Sequence, residues 1–171
     1  GEKPVNVTLF ERDIQNIRQI LSETKQDIAK KDETLRGLIA AITTDPALLR
    51  AFKQRELIEL GRKLIDETGS CPLCETEWPA GELSEHLDHR LSTAQVVGEK
   101  QGQIRQLSGD ISGVLKNVTS SLEKAVTVVR VAELEDELLI LQTWVDNLKT
   151  LIGSLAAPVD KYPDNRFSAR Q

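Results

Sequence analysis

The stretch ETGSCPLCETEW, residues 67–78, divides the chain and holds its only two cysteines, Cys71 and Cys74. Pro72 lies between them, and Gly69 and Pro79 lie on either side. Because glycine and proline interrupt helices, this composition predicts a tight turn. The sequences before and after the turn therefore predict two separate helical segments that meet there.

On the N-terminal side, aliphatic residues recur in alternating steps of three and four from Ile14 to Ile42. This spacing is typical of the apolar seam of a coiled coil. The pattern stops at TTDPALL, where Asp45 can cap a new helix and Pro46 fits its first turn. A second helix is predicted to run from there to about Glu67. Its seam residues are Leu57, Leu60 and Leu64.

On the C-terminal side, the same spacing runs from Leu83 to Ala132 without a change of phase and predicts one long helix. Its glycines weaken it locally. An elbow is predicted where Gly98 and Gly102 face the break at Asp45. A new phase covers Leu134–Leu155, and this further helix could continue the arm or fold back.

Together these patterns predict an all-α fold, an antiparallel coiled-coil hairpin with the Cys-Pro-Leu-Cys turn at its apex. Residues 1–8 are interpreted as a linker or an expression remnant, and Gly1 and the absence of methionine suggest a piece of a longer protein. The other predicted segments are an ascending arm at 9–67 with a break near 43–46, an apex at 68–82, a descending arm at 83–132, a further helix at 133–156 and an irregular tail at 157–171.

Composition excludes several classes of function. Lys and Arg total 22 against 27 for Asp and Glu, giving a net charge of −5. Phosphate contacts require the opposite balance, so direct binding of nucleic acid is not expected. No apolar run is long enough to span a bilayer. We expect no membrane association, and a location in the cytoplasm, at the nucleoid or in the nucleus.

In a reducing compartment, an isolated Cys-x-x-Cys pair indicates metal binding or redox chemistry rather than a structural disulfide. Zinc in structural sites takes four ligands in a tetrahedron, and thiolates are among its preferred ligands. Cys71 and Cys74 supply two of the four. A second copy of the same turn could supply the other two, since a twofold-symmetric contact needs half a site per chain.

Two alternatives keep the chemistry within one chain. His86 and His89 follow the cysteines with spacing Cys-x2-Cys-x11-His-x2-His, one residue short in both gaps of a two-Cys two-His finger, and could complete an intramolecular site. A redox dithiol is the other alternative, but that motif usually accompanies a β-α-β pattern, and the sequence shows no strand pattern.

The remaining residues at the apex are interpreted as structural. Trp78 is predicted to pack under the turn with Leu73 and Leu83. The carboxylates around the turn are interpreted as a solvated surface, and they would repel a second apex, so that a metal becomes more necessary for association.

Heptads, a central CPLC turn and the following EWPAGELSEHLDHRL resemble the zinc-hook segment of SMC-related ATPases, the Rad-fifty and SbcC type of double-strand-break repair, and of kindred ATPases in prokaryotic anti-phage defence. The resemblance covers the middle and the arms of the chain. It implies that Cys71 and Cys74 are metal ligands, that Pro72 forms the turn, and that two chains dimerise by sharing one Zn²⁺.

The resemblance also sets expectations for the whole protein. The ATP-binding ends of that family are absent from this sequence, so the chain itself is not expected to be an enzyme. The parent protein would be an ATPase that works with a nuclease and with DNA, in repair or in defence.

Overall fold

The computed structural model describes residues 7–66 and 69–162, and within these ranges every regular element is an α-helix. The predicted all-α class is confirmed. The chain divides into two compact units, here called the bundle unit (Gly1–Arg36 with Gln106–Gln171) and the tip unit (Gly37–Arg105). The helices are α1 (Val7–Thr43), α2 (Pro46–Leu64), α3 (Glu82–Thr93), α4 (Gln95–Val131), α5 (Glu135–Ser154) and α6 (Pro158–Lys161).

Some predicted boundaries fall outside the described residues. These are residues 1–6 of the predicted linker, residue 67 at the end of the predicted ascending arm, residue 68 at the start of the predicted apex and residues 163–171 of the predicted tail. Val7 and Thr8, the last two residues of the predicted linker, belong to α1.

The core of the bundle unit is formed by aliphatic side chains from α1, α4 and α5 at positions where the heptad spacing predicts a seam. Burying each of them contributes about 1.5–3 kcal/mol relative to leaving it exposed. Because α5 shares this core, the helix that follows the phase change folds back on α1 and α4. The buried members are Ile17, Val118, Leu122, Val145 and Leu148.

The turn from α4 into α5 is formed by one residue with a positive φ and two backbone hydrogen bonds. Glu133 has a φ of 56°, in the left-handed region where glycine is usual. Its N–H donates to the carbonyl of Arg130, and the N–H of Leu134 donates to the carbonyl of Val129, each at 3.3 Å. These two bonds satisfy free carbonyls at the end of α4 in the pattern of a Schellman motif, which reverses the chain.

The prediction of an irregular tail from residue 157 is wrong for residues 158–161, which form α6. Pro158 occupies the first turn of α6, and Val159 and Tyr162 are buried. The Tyr162 hydroxyl donates to Asp32 Oδ1 at 2.5 Å, and the Arg36 guanidinium lies 4.6 Å from the centre of the Tyr162 ring. Contacts with α1 therefore order residues that carry no periodic pattern of their own.

In the tip unit, the predicted start of α2 is confirmed. Asp45 Oδ1 accepts hydrogen bonds from the N–H groups of Ala47 at 2.9 Å and Leu48 at 3.2 Å, and Pro46 lies in the first turn. The aspartate satisfies two of the free N–H groups at the helix N-terminus, which fixes where α2 begins.

The predicted leucine seam of α2 is wrong as a description of packing within the chain. Leu57, Leu60 and Leu64 are 50%, 60% and 66% exposed, whereas Phe52 is 2% exposed. The face of α2 that meets α3 is a different one, and it carries the charged side chains of Arg55 and other polar residues. The covered parts of α2 therefore include Phe52 and the polar contacts of Arg55, and they do not include the leucines.

The single long helix predicted after the turn is interrupted at Ala94, which leaves the helical conformation with φ −97° and ψ 39°. Carbonyls in the last turn of α3 are bonded to side chains. Ser92 Oγ donates to the carbonyl of His89 at 2.7 Å, and Arg55 Nη1 donates to that of Leu91 at 2.6 Å. Side-chain donors thus bond to backbone carbonyls near this end of the helix.

Each predicted arm accordingly has one interruption in the tip unit, after α1 at Thr44 and after α3 at Ala94. The interruption at Ala94 precedes the predicted elbow at Gly98 and Gly102. Both glycines lie inside α4.

Candidate metal centre at the cysteine turn

The two cysteines lie in a turn between α2 and α3 that is closed by its own backbone. The Cys71 N–H donates to the carbonyl of Thr76 at 2.9 Å, and the Glu75 N–H donates to the carbonyl of Cys71 at 2.8 Å. Pro72 lies between these bonds, within the turn of residues 72–74. Its fixed φ reduces the freedom of the turn, as the sequence predicts for this residue. Both thiols are therefore presented from one short, hydrogen-bonded loop.

The residue after the second cysteine has an unusual backbone. Glu75 has a φ of 59°, where a side chain other than glycine costs roughly 1–2 kcal/mol. This conformation turns the chain so that the Thr76 carbonyl can accept from Cys71. The Glu75 conformation is thus a local cost of holding both thiols in one turn.

The thiols are accessible, and one of them is acidified. Cys71 is partly exposed, Cys74 is exposed, and neither is in a disulfide. Cys74 Sγ lies 3.1 Å from the Thr76 hydroxyl oxygen. That hydroxyl, then the Thr76 N–H and the Cys71 thiol, hold the pKa of Cys74 below its ordinary value. Because the thiolate is the form that binds metal, this environment favours coordination.

The two histidines of the predicted intramolecular zinc site lie on α3 and not in the cysteine turn. His86 and His89 are both exposed on α3. The ring of His86 stacks on Trp78, with centroids 5.8 Å apart and planes inclined by 29°. Within residues 7–66 and 69–162, no group of three or more His, Cys, Asp or Glu side chains could hold a metal. The structure brings the cysteines together but does not gather the histidines with them.

The three residues that are predicted to pack at the apex differ in exposure. Leu83 is buried at the start of α3, and Trp78 is half-buried against His86. Leu73 is 66% exposed, so its predicted packing under the turn is wrong.

Charge around the turn is negative. Glu75, Glu77, Glu82 and Glu85 are exposed between the first cysteine and the first turns of α3. Four carboxylates so close to one another disfavour the approach of a second, identical apex unless a cation lies between the two.

Behind the turn, a charged pair joins α2 to α3. Arg62 Nη2 lies 2.6 Å from Asp88 Oδ2, and Arg62 Nε also contacts this carboxylate. The pair lowers the pKa of Asp88. Arg55, earlier in α2, bonds to Leu91, later in α3, so the two helices run antiparallel at these contacts.

A second polar cluster, here called the Arg55 cluster, ties α2 to α4. Arg55 Nε lies 3.2 Å from Glu59 Oε1 and donates to Gln101 Oε1 at 3.1 Å, while Arg105 pairs with the same glutamate. Gly98 leaves room for the guanidinium, since a Cβ there would lie 2.8 Å from Arg55 Cζ. The cluster fixes the antiparallel helices that carry the turn.

Sequence reasoning missed the residues that support the cysteines. Thr76 follows the second cysteine by two positions, and a hydroxyl so placed could have been recognised as a thiol partner. Arg55 and Arg62 gave no such signal, because their partners are far along the sequence.

Two thiols supply half of the four ligands of a structural zinc. The donor set therefore fits zinc if two further ligands come from another molecule. None of the helices in the described part of the chain has the length and apolar character needed to cross a membrane. Comparisons with protein-family models, curated proteins and solved structures find no match to this chain.

Proposed function

We propose that the chain is a zinc-dependent dimerisation module. Cys71 and Cys74 of each of two chains bind one shared Zn²⁺ as thiolates. The observation that supports this most directly is the half-built donor set: two accessible thiols in one closed turn, with no third metal-binding side chain grouped with them among the described residues.

The surroundings of the cysteines support the same proposal. Thr76 favours the thiolate of Cys74, and the Glu75 conformation closes the turn around both sulfurs. A structural zinc contributes about 10 kcal/mol or more to the state that holds it. That is enough to join two apices whose exposed glutamates repel each other.

The larger context belongs to the proposal as well. A Cys-Pro-Leu-Cys turn between antiparallel helices supports the resemblance to the zinc hook, the apex of a coiled-coil hairpin in SMC-like ATPases. The chain then connects two parent proteins and performs no catalysis itself. Their partners would be DNA and a nuclease, in repair or in anti-phage defence.

The stoichiometry of zinc tests the proposal. Purified protein loaded with Zn²⁺ is expected to contain one zinc per two chains and to be dimeric in sedimentation equilibrium. Chelation, or the double variant Cys71→Ser and Cys74→Ser, is expected to give monomers.

The variant with His86→Ala and His89→Ala is the matched control. It keeps the cysteine turn, so it should bind zinc and dimerise like the original chain. One zinc per monomer, lost in the histidine variant, would instead establish the intramolecular Cys2His2 site, with the helical hairpin as a protein-docking module.

A further inference from the structure

An exposed row of leucines lies next to the cysteine turn. Leu57, Leu60 and Leu64, here called the leucine stripe, are separated by three and then four residues on α2 and are 50%, 60% and 66% exposed. This spacing puts all three on one helix face and is the spacing of a coiled-coil seam. The stripe ends at Leu64, the last residue of α2 and seven positions before Cys71 in the sequence.

The charged residues within the interval Leu57–Leu64 are Glu59, Arg62 and Lys63. Glu59 is the only carboxylate between Leu57 and Leu64, and it pairs with Arg55 and Arg105 in the Arg55 cluster. The leucine face therefore lacks the negative charge that surrounds the cysteines. Removing such an apolar face from water is energetically favourable, and contact with a second apolar face achieves this.

The area of the stripe limits how much affinity it can contribute to a dimer. Three leucines exposed to this degree offer on the order of 300 Å² per chain, well below the roughly 800 Å² per partner of a stable interface. The stripe is thus too small to hold a dimer by itself. It is large enough to add affinity once another attachment has already brought the two chains together.

We propose that the leucine stripe packs against the stripe of a second copy of this chain, side by side and parallel, within the zinc-linked dimer. This inference rests on the proposed function, because the shared zinc supplies the first attachment. The interface then has a metal at the apex and a short leucine zipper along the two α2 helices.

The shared zinc decides the orientation. A metal bound by both cysteine turns places the twofold axis through the apex, and zinc–sulfur bonds of about 2.3 Å keep the turns in contact. Parallel α2 helices bring the stripes together without separating the turns. Antiparallel α2 helices centred on Leu60 would send the cysteine turns to opposite ends of the interface.

The test compares dimer dissociation constants of zinc-loaded proteins by sedimentation equilibrium. Leu60→Asp is expected to weaken the dimer about tenfold or more, because it places two charges in the apolar contact. Leu139→Asp is the matched control. Leu139 is 66% exposed on α5 in the bundle unit, and its substitution should change the dissociation constant less than twofold.

Two further measurements keep the result decisive. The double variant Leu57→Gln and Leu64→Gln should also weaken the dimer, and thermal melts should show that each variant retains the fold. A zinc-loaded dimer of unchanged affinity in both stripe variants would overturn this inference and leave the shared zinc intact. A chain that stays monomeric with zinc, or dimeric without it, would overturn the proposed function and the stripe's role together.

Discussion

The Thr76 hydroxyl lies 3.1 Å from Cys74 Sγ and is the main cause of the lowered pKa of that thiol. Removing it with Thr76→Val should raise the pKa of Cys74, because the thiolate loses a hydrogen-bond donor. In a Cys71→Ser background, the rate of alkylation by iodoacetamide at neutral pH should fall, and its pH profile should move to higher pH. Thr93→Val, which removes a hydroxyl bonded only within α3, is the control. An unchanged profile for Thr76→Val would show that the hydroxyl does not stabilise the thiolate.

Tyr162, the last described residue, contacts Asp32 and Arg36 of α1. Burial, and then its hydrogen bond to Asp32, raise the pKa of Tyr162 above its ordinary value of 10.0. The folded protein therefore keeps this proton at a pH where the unfolded chain loses it. The resulting stability is complete below pH 10 and decreases as the pH rises above it.

Tyr162→Phe should consequently lower the free energy of unfolding by about 1–2 kcal/mol at neutral pH, because Asp32 loses a buried hydrogen bond. The difference between the two proteins should shrink as the pH rises above 10, and urea unfolding at several pH values measures it. Tyr162 is the only tyrosine in the chain, so no other phenol contributes. A difference that stays constant to high pH would contradict the buried environment of this hydroxyl.

At the scale of a helix, two glycines of α4 differ in what surrounds them. A Cβ at Gly102 would meet nothing within 4 Å, whereas a Cβ at Gly98 would lie 2.8 Å from Arg55 Cζ. Gly102→Ala should therefore stabilise the protein by about 1 kcal/mol, the difference in helix propensity.

Gly98→Ala should gain the same propensity but displace the guanidinium from Glu59, Gln101 and Leu91. Since a hydrogen bond to a charged group contributes about 1.5–3 kcal/mol, the net effect should be destabilising. Thermal unfolding of the two variants provides the comparison. Equal stabilisation by both would show that Arg55 can move away without loss.

The helices also show which parts of the fold could be predicted from the sequence. Heptad spacing identified most buried positions of α1 and α4, although Leu21 of the predicted α1 seam is 47% exposed. The spacing also found the leucines of α2, but periodicity shows that a face is apolar and not what covers it. The interruption at Ala94 carries no glycine or proline, and the side chain that bonds to a carbonyl near it, Arg55, is distant in the sequence.

The cysteine turn was the most predictable part of the candidate site, since its residues are adjacent in the sequence and bond to one another. Tyr162 shows the opposite case, with its partner Asp32 lying 130 residues away. Contacts at that distance leave no periodic pattern for sequence reasoning to find.

At the scale of the whole molecule, the bundle unit has a core of its own. That core is a cluster of buried aliphatic residues from α1, α4 and α5, and none of its members lies in the tip unit. Lys31 on α1 and Asp110 on α4 form a salt bridge at 3.1 Å, close to the points where the chain passes into the tip unit and returns from it. In the sequence, the tip unit is therefore inserted between the two segments of the bundle unit, and its boundaries lie within α1 and α4.

Replacing residues 37–105 by a flexible linker of about six residues should leave a bundle that folds by itself, because adjacent helices lie about 8–10 Å apart. We expect a helical circular dichroism spectrum and a cooperative thermal transition. Leu122→Asp in the shortened protein should abolish the transition, since Leu122 is 6% exposed within the core. Leu139→Asp should preserve it, since Leu139 is exposed. A shortened protein that melts without cooperativity would show that the tip unit is required to fold the rest of the chain.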